Sequence, residues 1–187
     1  MLNDLPNELI REVLLPVLDI PDEMFRDTSD ISPFSRPSHI SASSILGVCK
    51  TWMSVGTPIL YSIVVLRSKA QAYALMYTLC KHKELGQYIK KLRIEGGYGD
   101  AMCIIINAAP NVVDLCISLD IQAFDGVEGL CSSLASINPC CVVVLAPSEP
   151  RINLPSNKLA IKLSVCLRSW TNLVSKTRFP RVPLAYS

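Results

Sequence analysis

Apolar positions near the N-terminus recur at helical spacing. Leu5, Leu9, Ile10, Val13 and Leu14 share one stripe of a short amphipathic helix. Pro6 suits its first turn, where N–H groups have no intrahelical partner, and Glu8 meets the positive end of the helix dipole. Pro16 is expected to limit the helix, because a ring there removes a bond and crowds the preceding turn. A second helical piece carries Ile45, Leu46, Cys49, Trp52 and Met53 on one side, with Gly56 placed to end it in a left-handed cap. From Ser62 the period changes. Ser62-Ile63-Val64-Val65-Leu66 is a continuous β-branched run suited to a buried strand. Ser68 can cap a following helix over 69–83, with Ala72, Leu75, Met76, Leu79 and Cys80 inward. Gly86 marks a turn. Residues 88–95 then place Leu92 and Ile94 between charges, as a half-exposed strand does.

Strand-like and helix-like stretches continue to alternate. Ile89–Ile94, Val112–Ile117, Cys141–Leu145 and Trp170–Val174 read as strands, and 100–109, 126–136 and 156–168 as helices. Such units cannot bury their apolar faces alone, so the pattern predicts a mixed α/β chain whose strand–helix units stack. The expected organisation is an N-terminal helical unit over 1–61, a repeat-like region over 62–178 and an irregular tail over 179–187.

Residues 19–39 interrupt the helical unit. They hold Pro21, Pro33 and Pro37, five acidic residues (Asp19, Asp22, Glu23, Asp27, Asp30) and five hydroxyl residues. A composition with so little apolar surface predicts a mobile, solvated loop. Phosphorylation at Thr28, Ser29 or Ser32 is conceivable there, with the plain solvated insert preferred.

Half of the chain is hydrophobic and 18% is charged, which raises the question of a membrane. Residues 129–148 carry no charge, but Ser132, Ser133, Ser136, Asn138 and Pro139 break them up, and their flanks are Glu128 and Glu149 rather than basic residues. Residues 51–66 are short and interrupted by Gly56 and Pro58. A spanning helix and, at Met1-Leu2-Asn3-Asp4, a signal peptide are therefore not expected. A net charge of +2 supplies no field for nucleic acid. The eight cysteines form no Cys-x-x-Cys pair, and only His39 and His82 are at hand to help bind zinc. They read as reduced core residues of an intracellular protein, with no metal and no cofactor.

The N-terminal pieces carry a resemblance. Leu5-Pro6-Asn7-Glu8-Leu9-Ile10, then Leu46-Gly47-Val48-Cys49-Lys50-Thr51-Trp52, then Pro58-Ile59-Leu60-Tyr61, resemble an F-box of the fungal type that carries an insert between its helices. The resemblance covers residues 5–18 and 40–61, and Val48-Cys49-Lys50-x-Trp52 is its most specific part. It implies a three-helix module that docks on a Skp-type adaptor and, through it, on a cullin–RING ubiquitin ligase. Carried over residue by residue, it makes Leu5, Pro6, Leu9, Ile10, Val13, Leu46, Val48, Cys49, Lys50 and Trp52 the adaptor-binding set. Asp114-Leu115 after Pro110-Asn111, Asn172-Leu173 after Trp170, and the spacing of 23 residues from Leu92 to Leu115 resemble the degenerate leucine-rich repeats that follow many F-boxes. The implied protein is a non-catalytic substrate receptor, cytoplasmic or nuclear, with an unnamed protein target.

A different class of reading rests on Glu95-Gly96-Gly97-Tyr98-Gly99-Asp100. Backbone N–H groups at a glycine-rich turn opening a helix can cradle phosphate. Here the spacing is Gly-Gly-x-Gly, with no nucleotide-binding lysine after it, so a tight turn is the simpler expectation. No Gly-x-Ser-x-Gly or other nucleophile–base pattern is present. A third alternative is a truncated F-box protein that binds adaptor without a target.

Overall fold

The structure is a computed structural model that describes residues 5–36, 42–146 and 153–177. The tail expected at 179–187 and the end of the insert at 37–39 lie outside the described residues. Three helices form the N-terminal unit: α1 (Asn7–Leu18), α3 (Ala42–Leu46) and α4 (Lys50–Ser62), with a single turn, α2 (Asp22–Phe25), between the first two. They close over a small core of Ile10, Leu14, Leu18 and Ile59, with Ile45, Leu46, Trp52 and Val55 packed at its edge.

Two breakers expected to end these helices lie inside them. α1 runs through Pro16 to Leu18, where the Asp19 N–H returns to the Leu15 carbonyl at 2.9 Å and Leu18 seats in the core. α4 runs through Gly56 and Pro58 to Ser62. Gly56 is buried at the crossing of α1 and α4, where a Cβ would collide with Leu46 and stand 3.2 Å from Leu14 Cδ1. The glycine allows close helix packing rather than a cap.

After α4 the chain alternates strictly: β1 (Ile63–Leu66), α5 (Lys69–Lys81), β2 (Lys91–Ile94), α6 (Ala101–Ala108), β3 (Asp114–Ser118), α7 (Glu128–Ser133), β4 (Cys141–Leu145), α8 (Leu154–Ser169) and β5 (Ser175–Thr177). The fold is mixed α/β. All five strands are parallel and lie in chain order, β1 to β5, so each strand–helix unit packs beside the next. Leu66, Leu92, Ile94, Leu115, Ile117, Val142 and Val144 point to the helix layer and form one continuous core with residues of α5 to α8. The intervening strand residues point to the other face, as the two-residue period requires.

β5 begins later than the pattern of residues 170–174 suggests. Trp170 closes α8 through its N–H to the Cys166 carbonyl at 2.9 Å and is buried against the helices. The Asn138 side chain holds the next two residues by accepting from the Thr171 and Asn172 N–H groups at 3.0 and 3.3 Å, which delays pairing.

Candidate docking helix and strapped sheet face

Two surfaces stand out: the outer side of α1 and the sheet face that the insert covers. On α1 the apolar residues split into two stripes. Ile10, Leu14 and Leu18 turn inward, while Leu9, Val13 and Val17, spaced four apart, face outward, and Leu5 is exposed just before the helix begins. Leu9 is 52% and Val13 57% exposed. The single stripe read from the sequence merged these sets. Ile10, placed in the adaptor-binding set, is only 2% exposed and holds the three-helix core together, so no partner can reach it.

The other members of that set are spread over the same unit. Leu5, Pro6, Val48 and Lys50 are exposed; Leu46, Cys49 and Trp52 are half-buried. Cys49 has a local role, because its sulfur accepts the Trp52 N–H at 3.5 Å and caps α4 in extended backbone. Trp52 and Leu46 pack against the inner cluster, so each is part scaffold and part surface. Val17 and Met53 are exposed apolar residues that the set omits. Val17 continues the 9, 13 spacing beyond Pro16, past the point where a proline is expected to end the helix.

The second surface is the sheet face opposite the helices. Instead of floating in solvent, residues 20–36 lie across it as a strap. Phe25, 1% exposed, is buried against Ile63, Cys116, Cys141 and Val143, with Ile20 and Leu145 at the edge. This corrects the mobile-loop expectation, which weighed composition alone and could not see an apolar patch waiting on β1, β3 and β4.

Charged strand residues fasten the strap. Lys91 pairs with Asp22, and Arg26 donates to Asp114 Oδ2 at 2.8 Å. The Lys91 hydrogen bond holds the Asp22 carboxyl below its ordinary range, and the Asp114 hydrogen bond raises the Arg26 guanidinium. Arg93, 1% exposed, donates from Nη1 to the Phe25 and Asp27 carbonyls at 2.7 and 2.8 Å and from Nε to Glu95 Oε1 at 2.6 Å. Its guanidinium lies 5.5 Å from the Phe34 ring. Glu95 also accepts from Ser32 Oγ at 2.8 Å and from Arg67 Nε at 3.2 Å, and Arg67 reaches the Phe34 carbonyl. The residue read as the charged side of a half-exposed strand is thus interior. Beneath the strap, burial pushes the Cys116 thiol up to about 12.

The glycine-rich turn is internally satisfied. The Asp125 carboxylate accepts the Gly97 and Tyr98 N–H groups at 2.7 and 3.0 Å, the place a phosphate would take. Tyr98 and Gly99 adopt left-handed φ of 55° and 61°, held by the Tyr98 hydroxyl on the Leu66 carbonyl at 3.1 Å and the Gly99 N–H on the Gly126 carbonyl at 2.8 Å. A carboxylate already in the cradle removes the observation on which phosphate binding rested. His82 sits exposed at the end of α5, 3.3 Å from Glu84.

Among the described residues no group of three or more His, Cys, Asp or Glu is placed to hold a metal ion. No helix among them is long and apolar enough to cross a membrane. Comparison with family models, characterised proteins and solved structures finds no match to this chain.

Proposed function

We propose that the chain is an F-box substrate receptor of a Skp–cullin–F-box ubiquitin ligase, holding the adaptor with its N-terminal helices and a protein target with its leucine-rich-repeat-like stack. The observation that carries this reading is the outward stripe of Leu9, Val13 and Val17, with exposed Leu5 just ahead of it, on a helix whose inner stripe is already satisfied. Apolar side chains at regular spacing add nothing to the core from that side, and exposed patches of this kind usually mark interfaces. Val48 and Met53 enlarge the apolar surface of the same helical unit. Lys50 is exposed in the first turn of α4, which supports a rim role, where charges set specificity more than affinity.

In this role the chain makes and breaks no bond. It raises the effective concentration of target lysines near the ubiquitin-transfer machinery. The test is titration of purified Skp-type adaptor into the wild-type chain and into Leu9→Asp/Val13→Asp. Both positions are exposed, so the circular-dichroism spectrum should be unchanged while affinity falls at least a hundredfold. Equal affinity in the two chains sinks the assignment.

A further inference from the structure

The strap touches the sheet mainly through polar groups, which water can reach if the strap lifts. Arg67, Lys91, Arg93, Glu95 and Asp114 carry its polar contacts, and its apolar contact is the small patch around Ile63, Cys116, Cys141 and Val143 that takes Phe25. No residue of the strap belongs to the large core on the helix side. The core between sheet and helices is therefore built without any residue of the strap.

The way it is held is that of a bound ligand. One helical turn, Asp22–Phe25, lies on the face with its first residue on Lys91 and its aromatic last residue in the patch. The carbonyls at the end of a helical turn have no intrahelical partner; Arg93 takes that of Phe25 and, two residues further on, that of Asp27. Arg26, next after the aromatic, meets Asp114 on the neighbouring strand. Acid, aromatic and base are each matched by a complementary feature of the sheet, while Arg93 reads backbone.

We propose that the outer face of β1 to β4 is a binding site for a peptide segment and that Asp22–Asp27 is its resident occupant in cis. The partner it takes is a single helical turn with a buried aromatic, an acidic residue three positions before it and a basic residue directly after. This rests on the receptor reading only in calling that partner a target; the binding itself needs no adaptor.

The experiment titrates a fluorescein-labelled synthetic peptide of residues 19–36 into the full chain and reads anisotropy. Phe25→Ala in the chain removes the resident anchor. The peptide should bind this chain at least tenfold more tightly than wild type, and a peptide bearing the same Phe25→Ala change should bind it at least tenfold more weakly. Absence of binding to the folded variant overturns the proposal, as does a variant that does not fold, which would make the strap part of the core. Hydrogen exchange on the wild-type chain gives an independent reading. The amides of Phe25, Arg26 and Asp27 should exchange at least tenfold faster than those paired within β2 and β3, and equal protection overturns the proposal too. Peptide binding without adaptor binding would leave this site and remove the receptor role; adaptor binding without peptide binding would do the reverse.

Discussion

Arg93→Met isolates what holds the strap. Methionine is of similar length and apolar, so little cavity forms, and what is lost is the donor set. Three acceptors are affected: the Phe25 and Asp27 carbonyls and Glu95 Oε1. A hydrogen bond from a charged donor contributes about 1.5–3 kcal/mol, and an acceptor left dry costs about 1–3 kcal/mol. Simple addition would overshoot. Glu95 keeps Ser32 and Arg67, and the two carbonyls can reach water if the strap lifts. Lifting exposes Phe25, whose burial is worth about 1.5–3 kcal/mol, and this caps the loss. We therefore expect Arg93→Met to lower unfolding free energy by about 2–3 kcal/mol in urea titrations followed by circular dichroism. Adding Glu95→Gln removes the carboxylate that the arginine balanced, so the double variant should lose less than the two singles together, by at least about 0.5 kcal/mol. A single-variant loss under about 0.5 kcal/mol, the range of ordinary surface changes, would refute the reasoning.

Other consequences follow from the same structure. Cys116 should resist iodoacetamide at pH 8 while exposed Cys80 reacts, because burial keeps the Cys116 thiol neutral. Phe25→Ala should raise the Cys116 rate at least tenfold by peptide-resolved mass spectrometry, and an unchanged rate would show that the strap does not shield it. Gly97→Ala drives a Cβ into the Gly126 carbonyl and to 3.2 Å from Val127 Cγ1, so it should cost about 1–3 kcal/mol; a neutral change would contradict this packing. The Asp22 carboxyl is held below its ordinary value, so the folded state releases its proton more readily than the unfolded one. Its contribution is intact above about pH 4 and fades as the pH falls through the lowered value. It is a partly exposed pair worth up to about 1 kcal/mol, and Lys91→Met should remove that part of the acid sensitivity of urea midpoints between pH 7 and 3.

The alternation of strands and helices was legible because each element carries its own period. Cys141–Leu145 is an unbroken apolar run, and Ser68 caps α5 by accepting the Gln71 N–H at 3.3 Å, as its place before the helix suggested. What local pattern does not hold is the identity of the covering partner. Alternation puts Arg93 on the face away from the helices, but its burial depends on Phe25, 68 residues earlier. Phe25 in turn sits in an acidic, proline-bearing stretch whose composition reads as solvent-exposed. The same limit explains α1. A helix with apolar residues at 5, 9, 10, 13 and 14 has room for two stripes, and only the position of α4 decides which is inner. As local punctuation Pro16 and Gly56 end helices, whereas core packing at Leu18 and close helix approach at Gly56 carry the helices past them.

The receptor account is tested most directly by co-expressing the chain with a Skp-type adaptor and resolving the product by size-exclusion chromatography. A receptor should comigrate one-to-one, and Leu9→Asp/Val13→Asp should abolish comigration without loss of helicity, since both side chains face away from the three-helix core. A folded wild-type chain that elutes apart from the adaptor, or a double variant that still comigrates, would contradict it.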